Sequence, residues 1–130
     1  MRAIDLTAVP VGPAADGTEY GEWAALNAPL GLDAFGINVA DLRPGEHLDS
    51  VHDEIESRQQ ELFVVVSGRA RFIVGDETFE AGPGTAVGVG DPALQRGFHA
   101  LEPGTRVLCI GAEPPSRAER WGEWISGGEP

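Results

Sequence analysis

The regular spacing of short apolar segments is the feature of this sequence that most limits its fold. Seven such segments follow one another between residues 35 and 113, separated by turn-forming residues: "FGINVADL", "ELFVVVSG", "RARFIVG", "ETFEAG", "TAVGVG", "LQRGFHAL" and "TRVLCIG". In "RARFIVG", Ala70, Phe72 and Val74 occupy alternate positions, which is the period of a half-buried strand. Short strands separated by turn residues are typical of an all-β sandwich or barrel. We therefore predict an all-β chain whose middle is an antiparallel meander or jelly roll.

The 130 residues suit one domain built from three segments. Residues 1–34 are predicted to be an N-terminal strand and loop segment that packs on the barrel, and within them "TEYGEWAAL" fits either a strand or a helical turn. Residues 35–113 are predicted to form the barrel itself. Residues 114–130 are predicted to form a tail with a short C-terminal helix, because "SRAE" is a capping-box pattern and Ala118, Trp121 and Ile125 follow at helical spacing.

The composition argues against several classes of protein. A formal charge of −12 and a pI near 4.4 oppose binding to nucleic acid or to an anionic membrane, since phosphates would be repelled. No apolar run is long enough to cross a bilayer, and the N-terminus lacks the apolar core of a signal peptide. We therefore expect a cytoplasmic protein. The single Cys109 lies in the apolar run "VLCIG", which predicts a buried thiol and not a nucleophile.

The stretch "ELFVVVSGRARFIVGDETFEAGPG" resembles the motifs of the cupin superfamily. In that family a Glu, six residues and a Gly end the first motif, here Glu61 to Gly68, and a Gly opens the second, here Gly82. The match covers roughly residues 31–113, and "RPGEH" is similar to the turn that usually precedes the cupin His pair. The resemblance implies a small jelly-roll barrel, often a homodimer. It also implies a divalent metal held by three His and one Glu in the barrel mouth.

The family's metal ligands are only partly present in this chain. The first motif's two His positions fall on His52 and Glu54, followed by Glu61, so the second His is replaced by a carboxylate. The second motif, laid on this chain, reaches Ala93 where the family has its last His. His99 lies six residues farther along, about 20 Å away on an extended strand, which is too far to replace that ligand.

The remaining residues still form a candidate metal set. His52, Glu54 and Glu61 supply one imidazole and two carboxylates, a combination that suits Fe, Mn or Zn with open positions. Glu56 points the same way if its segment is extended. In the alternative interpretation, an Arg or a backbone donor holds Glu61 and no metal is needed. Either way, clustered carboxylates raise at least one pKa, so a cation or a proton must be close. Because two of four family ligands are replaced, we expect no tightly bound cofactor.

Two functions remain open. The favoured one is a module that binds a small organic ligand in the barrel cavity without a tightly held transition metal. Its predicted contacts are three apolar wall residues and two polar residues that follow the missing His: Phe63, Val65, Phe72, Gln95 and Arg96, with Phe98, Arg58 and Gln60 as further candidates. The alternative is a metal-dependent cupin enzyme of dioxygenase or isomerase type that uses His52, Glu54 and Glu61.

Overall fold

The computed structural model describes residues 2–13, 21–45 and 51–114, which are almost entirely β-structure. The elements in these ranges are β1 (Gly12–Pro13), β2 (Gly21–Ala25), α1 (Asn27–Leu30), β3 (Gly36–Leu42), β4 (Gln60–Ser67), β5 (Ala70–Val74), β6 (Glu77–Ala81), β7 (Ala86–Val89), β8 (Arg96–Ala100) and β9 (Thr105–Ala112). The seven apolar segments seen in the sequence correspond to β3 through β9, which confirms the strand prediction. The predicted C-terminal helix lies outside the described residues.

The strands form two antiparallel sheets that pack face to face. One sheet has six strands in the order β1-β2-β3-β9-β4-β7, and the other has three in the order β6-β5-β8. The two are linked by isolated bridges, Pro44 to Ala100 and His52 to Arg96. Over the described residues these sheets do not join into a hydrogen-bonded closed barrel, so the barrel prediction is corrected to a two-sheet jelly-roll sandwich. The physical reason is that the chain changes sheets in tight turns, which places consecutive strands such as β4 and β5 in different sheets.

The main core lies between the two sheets and contains the predicted apolar residues. Phe63, Val65 and Phe72 are at most 2% exposed, and Val74 packs against the same cluster. The ring centroids of Phe63 and Phe98 are 5.1 Å apart, and those of Phe72 and Phe98 are 5.4 Å apart. Ring pairs at these separations add to the stability given by burial. Alternation along β4 and β5 thus directs every second side chain into this core.

A second core covers the outer face of the six-stranded sheet. It contains Val9, Leu26, Ile37 and Val39, so β3 is buried on both faces. Arg106 of β9 fastens the N-terminal segment to this sheet, because its Nη1 donates to the Leu6 carbonyl at 2.7 Å and its Nη2 to the Val9 carbonyl at 2.8 Å. The ambiguous segment "TEYGEWAAL" contains strand β2 and runs into α1. In the part of the chain that the structure describes, no helix has the length and apolarity to span a bilayer.

Candidate functional site

The candidate site is assembled from the β3–β4 connection, the start of β4 and the start of β8. Glu61 is the second residue of β4 and lies on the same face as Phe63, so its side chain is directed between the sheets and is only 13% exposed. His52 and Arg96 exchange backbone hydrogen bonds of 2.9 and 2.7 Å. Glu54 is fixed in the same way, since its N–H donates to the Pro92 carbonyl at 2.9 Å. These backbone bonds hold the β3–β4 connection against the start of β8 and the turn before it.

His52, Glu54 and Glu61 meet as predicted. The Nε2 atom of His52 is 3.0 Å from Oε1 of Glu54 and 3.8 Å from Oε1 of Glu61. Each residue offers one ligand atom, and these atoms all lie within 4.8 Å of one another. Exposure falls along the group, with 49% for the His52 side chain, 21% for Glu54 and 13% for Glu61. The cluster therefore runs from the surface inward.

Arg96 supplies the positive charge that this cluster needs. Its side chain is fully buried, and its Nη1 donates to Oε1 of Glu61 at 3.0 Å. Its Nη2 donates to the Asp91 carbonyl at 2.8 Å, so both terminal nitrogens are bonded to protein oxygens. This contact agrees with the expectation that an arginine or a backbone donor holds Glu61, and it does not by itself test metal binding. The residue of the β8 region that meets Glu61 is Arg96, whereas Ala93 is exposed in the turn before β8.

A short turn fixes Glu54 and removes Glu56 from the cluster. The Oγ of Ser57 donates to Oε2 of Glu54 at 2.5 Å, and the N–H of Arg58 donates to the Glu54 carbonyl at 2.8 Å. Arg58 has a φ of 57°, a left-handed conformation that ends this turn. Glu56 is exposed and does not join the ligand group. Its predicted orientation required an extended segment, and residues 55–58 form a turn instead.

The pKa of Glu61 is raised above the ordinary value for a glutamate. Burial is the largest cause, and repulsion by the Glu54 carboxylate adds to it. His52 and Arg96 act in the opposite direction and keep the ionised form accessible. Repulsion between the clustered carboxylates thus acts in the expected direction, as a smaller cause than burial.

A cavity of about 240 Å³ opens beside the cluster. It is lined by His52, Glu54 and Glu61 together with Trp23, Asn38, Gln59, Phe63, Phe98 and Cys109. Burial raises the pKa of the Cys109 thiol, so this group stays protonated at neutral pH, in agreement with the predicted buried thiol. Sequence reasoning did not identify Trp23, Asn38 or Gln59. Asn38 had a usable signal, because it shares the inward face of β3 with Ala40 and Leu42 and is the polar member of that set.

The other residues predicted to contact a ligand do not line this cavity. Val65 and Phe72 are buried in the core and do not line this cavity. Gln95 is exposed, and its carbonyl accepts from the Gly75 N–H at 2.8 Å. Gln60 is exposed and donates to the Gly90 carbonyl at 3.0 Å. Among the described residues, His99 lies on β8 opposite Arg71 of β5, and strand alternation turns it away from the Arg96 face.

His52, Glu54 and Glu61 could hold a divalent metal, and they would leave some of its coordination positions open. A closed zinc site uses four ligands, and this cluster offers one imidazole and two carboxylates. The oxygen of Glu61 nearest to His52 already accepts a hydrogen bond from Arg96. A divalent cation bound to this oxygen would lie next to the permanent charge of a buried guanidinium, which is electrostatically unfavourable.

Comparison with solved structures finds the same fold in cupin proteins. A cupin-superfamily sugar phosphate isomerase from Silicibacter pomeroyi matches with a TM-score of 0.69 and 19% identity, over 87% of this chain and 76% of that one. The cupin domain of Cnp3 from Schizosaccharomyces pombe matches with a TM-score of 0.65 and 14% identity, over 86% and 69%. KdgF from Halomonas sp. matches with a TM-score of 0.61 and 16% identity, over 75% and 84%. No family model and no curated protein matches the sequence. The chain therefore has the cupin fold that its motifs resemble.

Proposed function

We propose that this chain binds a small organic ligand in the cavity beside His52, Glu54 and Glu61, without a tightly held transition metal. The observation that carries the proposal is the contact between buried Arg96 and Glu61, 3.0 Å from Nη1 to Oε1. This internal cation neutralises a carboxylate that would otherwise require an external one.

The cavity has the composition of a small-molecule site. Such sites combine apolar walls with a few polar groups that orient the ligand. Phe63, Phe98 and Trp23 supply aromatic walls here, and Asn38 and Gln59 add amide groups that both donate and accept hydrogen bonds. The volume of about 240 Å³ limits the occupant to a small metabolite or to one part of a larger one.

The second candidate is a metal-dependent cupin enzyme, of dioxygenase or isomerase type. The observation that favours it is the convergence of His52, Glu54 and Glu61, whose ligand atoms lie within 4.8 Å of one another. One structural neighbour is named as a sugar phosphate isomerase, which adds isomerisation as the reaction to test for this candidate. Because Arg96 contacts one of the three ligands, we rank this candidate below metal-free binding.

The two candidates differ in whether ligand binding needs a metal. Protein labelled with ¹⁵N and treated with EDTA is titrated with a library of small organic fragments, and amide shifts are followed at His52, Phe63 and Phe98. The amides of Asp41 and Arg106, toward the other end of β3 and β9, are the internal control. We expect fragments that shift the cavity amides alone, with no metal present. Shifts that appear only after one equivalent of Zn²⁺ or Mn²⁺ is added would contradict the proposal and favour the enzyme.

A further inference from the structure

We infer that the ligand of this cavity carries a positive charge, such as a protonated amine, and not a carboxylate or a phosphate. The inference rests on the proposed function, since it names the chemical class of ligand for the same site. Its basis is the burial and the contacts of the charged groups in and around the cavity, combined with the aromatic lining.

The permanent positive charge at the site, the Arg96 guanidinium, is not accessible to a ligand in the cavity. Arg96 is fully buried, its two terminal nitrogens donate to Glu61 and to the Asp91 carbonyl, and its Nε is buried without a hydrogen-bond partner among the described residues. It is also absent from the residues that line the cavity, and none of the lining residues is Arg or Lys. An anionic ligand would therefore meet two carboxylates, Glu54 and Glu61, with no permanently charged donor to bind it.

The Glu54 carboxylate is available to bind a cationic group of a ligand. Glu61 is neutralised by Arg96, whereas Glu54 contacts His52, whose charge depends on protonation, and Ser57, which is neutral. Glu54 lines the cavity and is partly exposed there. A ligand ammonium bound at this point would form a charge-assisted hydrogen bond with the Glu54 carboxylate.

The walls favour the same class of ligand. Trp23, Phe63 and Phe98 line the cavity, and aromatic rings attract ammonium groups through the negative potential of their faces. Desolvation in an enclosed site strengthens this attraction. The carboxylate and the aromatic lining are separate features, and both select a cation over an anion of equal size.

Three probes of matched shape test the charge directly: cyclohexylamine, cyclohexanol and cyclohexanecarboxylate. Each is titrated at neutral pH into EDTA-treated, ¹⁵N-labelled protein, and dissociation constants are taken from the amide shifts of cavity residues. We expect the amine to bind about tenfold more tightly than the alcohol, which is the gain of one charge-assisted hydrogen bond, and the carboxylate to bind more weakly than both.

Two variants locate the charge that is responsible. Glu54→Gln should bring the affinities for amine and alcohol close together, whereas Glu56→Gln removes the same charge from an exposed neighbour outside the cavity and should leave the tenfold ratio unchanged. Equal losses in both variants would overturn the assignment to Glu54. Preference for the carboxylate would overturn the charge assignment alone and leave ligand binding intact. If none of the three probes shifted the cavity amides, both the inference and the proposed function would be contradicted.

Discussion

Arg96 places a permanent charge against Glu61 in a region where the family motif would place a histidine. Buried ion pairs are costly to form, because both groups lose their hydration, and they are more costly to break from one side. The remaining contacts of Arg96, to the Asp91 carbonyl and through its backbone to His52, tie the turn before β8 to the β3–β4 connection. At the scale of the residue, this one side chain therefore links the stability of the fold to the chemistry of the site.

Substitution of Arg96 tests that link. Arg96→Met leaves Glu61 buried beside Glu54 without its cation, and we expect the free energy of unfolding to fall by about 3–5 kcal/mol. The double variant Arg96→Met/Glu61→Leu removes both charges and should recover most of this loss. Urea denaturation of the two single variants and the double variant completes the cycle. A double variant as unstable as the sum of the single variants would show that the pair is not coupled.

The titration of Glu61 gives a second test at this scale. Its raised pKa means that the folded state binds this proton more tightly than the unfolded state does, so ionised Glu61 lowers stability. This cost is present above the folded pKa and is relieved as the pH falls through it. Glu80 is the control, because hydrogen bonds from Arg71 and Arg69 lower its pKa. Carboxyl ¹³C NMR should show Glu61 titrating above Glu80, and Arg96→Met should raise the Glu61 pKa further. A Glu61 that titrates with or below Glu80 would contradict the burial of Glu61 beside Glu54.

At the scale of the element, the turns decide where strands meet. The β4–β5 turn carries Gly68 at a φ of 75°, and a Cβ added there would lie 2.4 Å from Oγ1 and 2.5 Å from Cα of Thr105. The side chain of Thr105 is also bonded to this turn, since its Oγ1 accepts a hydrogen bond from the Arg69 N–H at 3.2 Å. The turn glycine thus permits the close approach that lets the chain leave one sheet for the other.

Two glycine variants distinguish the cost of a left-handed backbone conformation from the cost of a steric clash. Gly68→Ala combines a left-handed backbone with a clash against Thr105, whereas Gly84→Ala, at a φ of 86°, meets nothing within 4 Å. We expect Gly84→Ala to cost about 1–2 kcal/mol, from the backbone alone. Gly68→Ala should cost about 1–3 kcal/mol more, because the added methyl group is overpacked. Thermal unfolding of the two variants measures the difference, and equal losses would show that the β4–β5 turn relaxes freely.

Strand positions could be predicted from the sequence because they depend on local alternation and on turn residues. The core positions of Phe63 and Phe72 followed directly from those patterns, whereas the turn at Gly68 joins strands of different sheets. The position of Arg96 opposite Glu61 depends on the path of the turn at residues 91–95, which no periodicity encodes. Glu56 differs from its prediction for the same reason, since it lies in a turn. The contribution of Trp23 to the cavity depends on how β2 pairs with β3, a contact between segments that are distant from the core motifs.

At the scale of the whole molecule, charge and open sheet edges act against each other. The formal charge of −12 disfavours association of identical chains, most strongly at low salt. The edge strand β7 pairs only with β4 among the described strands, and Leu62 on the neighbouring β4 is 38% exposed. Unpaired edges and exposed apolar side chains favour pairing with a second copy.

We therefore predict a homodimer whose population increases with ionic strength. Light scattering at micromolar concentration and moderate salt should report twice the chain mass of 13.7 kDa. Lowering the salt should shift the equilibrium toward the monomer, because repulsion between the acidic chains is then less screened. A monomer at all salt concentrations would contradict this prediction.

Arg96 supplies the cation that faces the carboxylates of this site. Calorimetric titration of Zn²⁺ into the EDTA-treated protein at neutral pH tests this role most directly, because zinc binds such ligands more tightly than Mn²⁺ or Fe²⁺. We predict a dissociation constant above about 1 μM, equivalent to less than about 8 kcal/mol of binding free energy. Arg96→Met should bind at least about tenfold more tightly, whereas Arg106→Met, which removes an arginine paired with Asp41 away from the cluster, should not. Tight, stoichiometric binding of Zn²⁺ to the unaltered protein would contradict this role of Arg96.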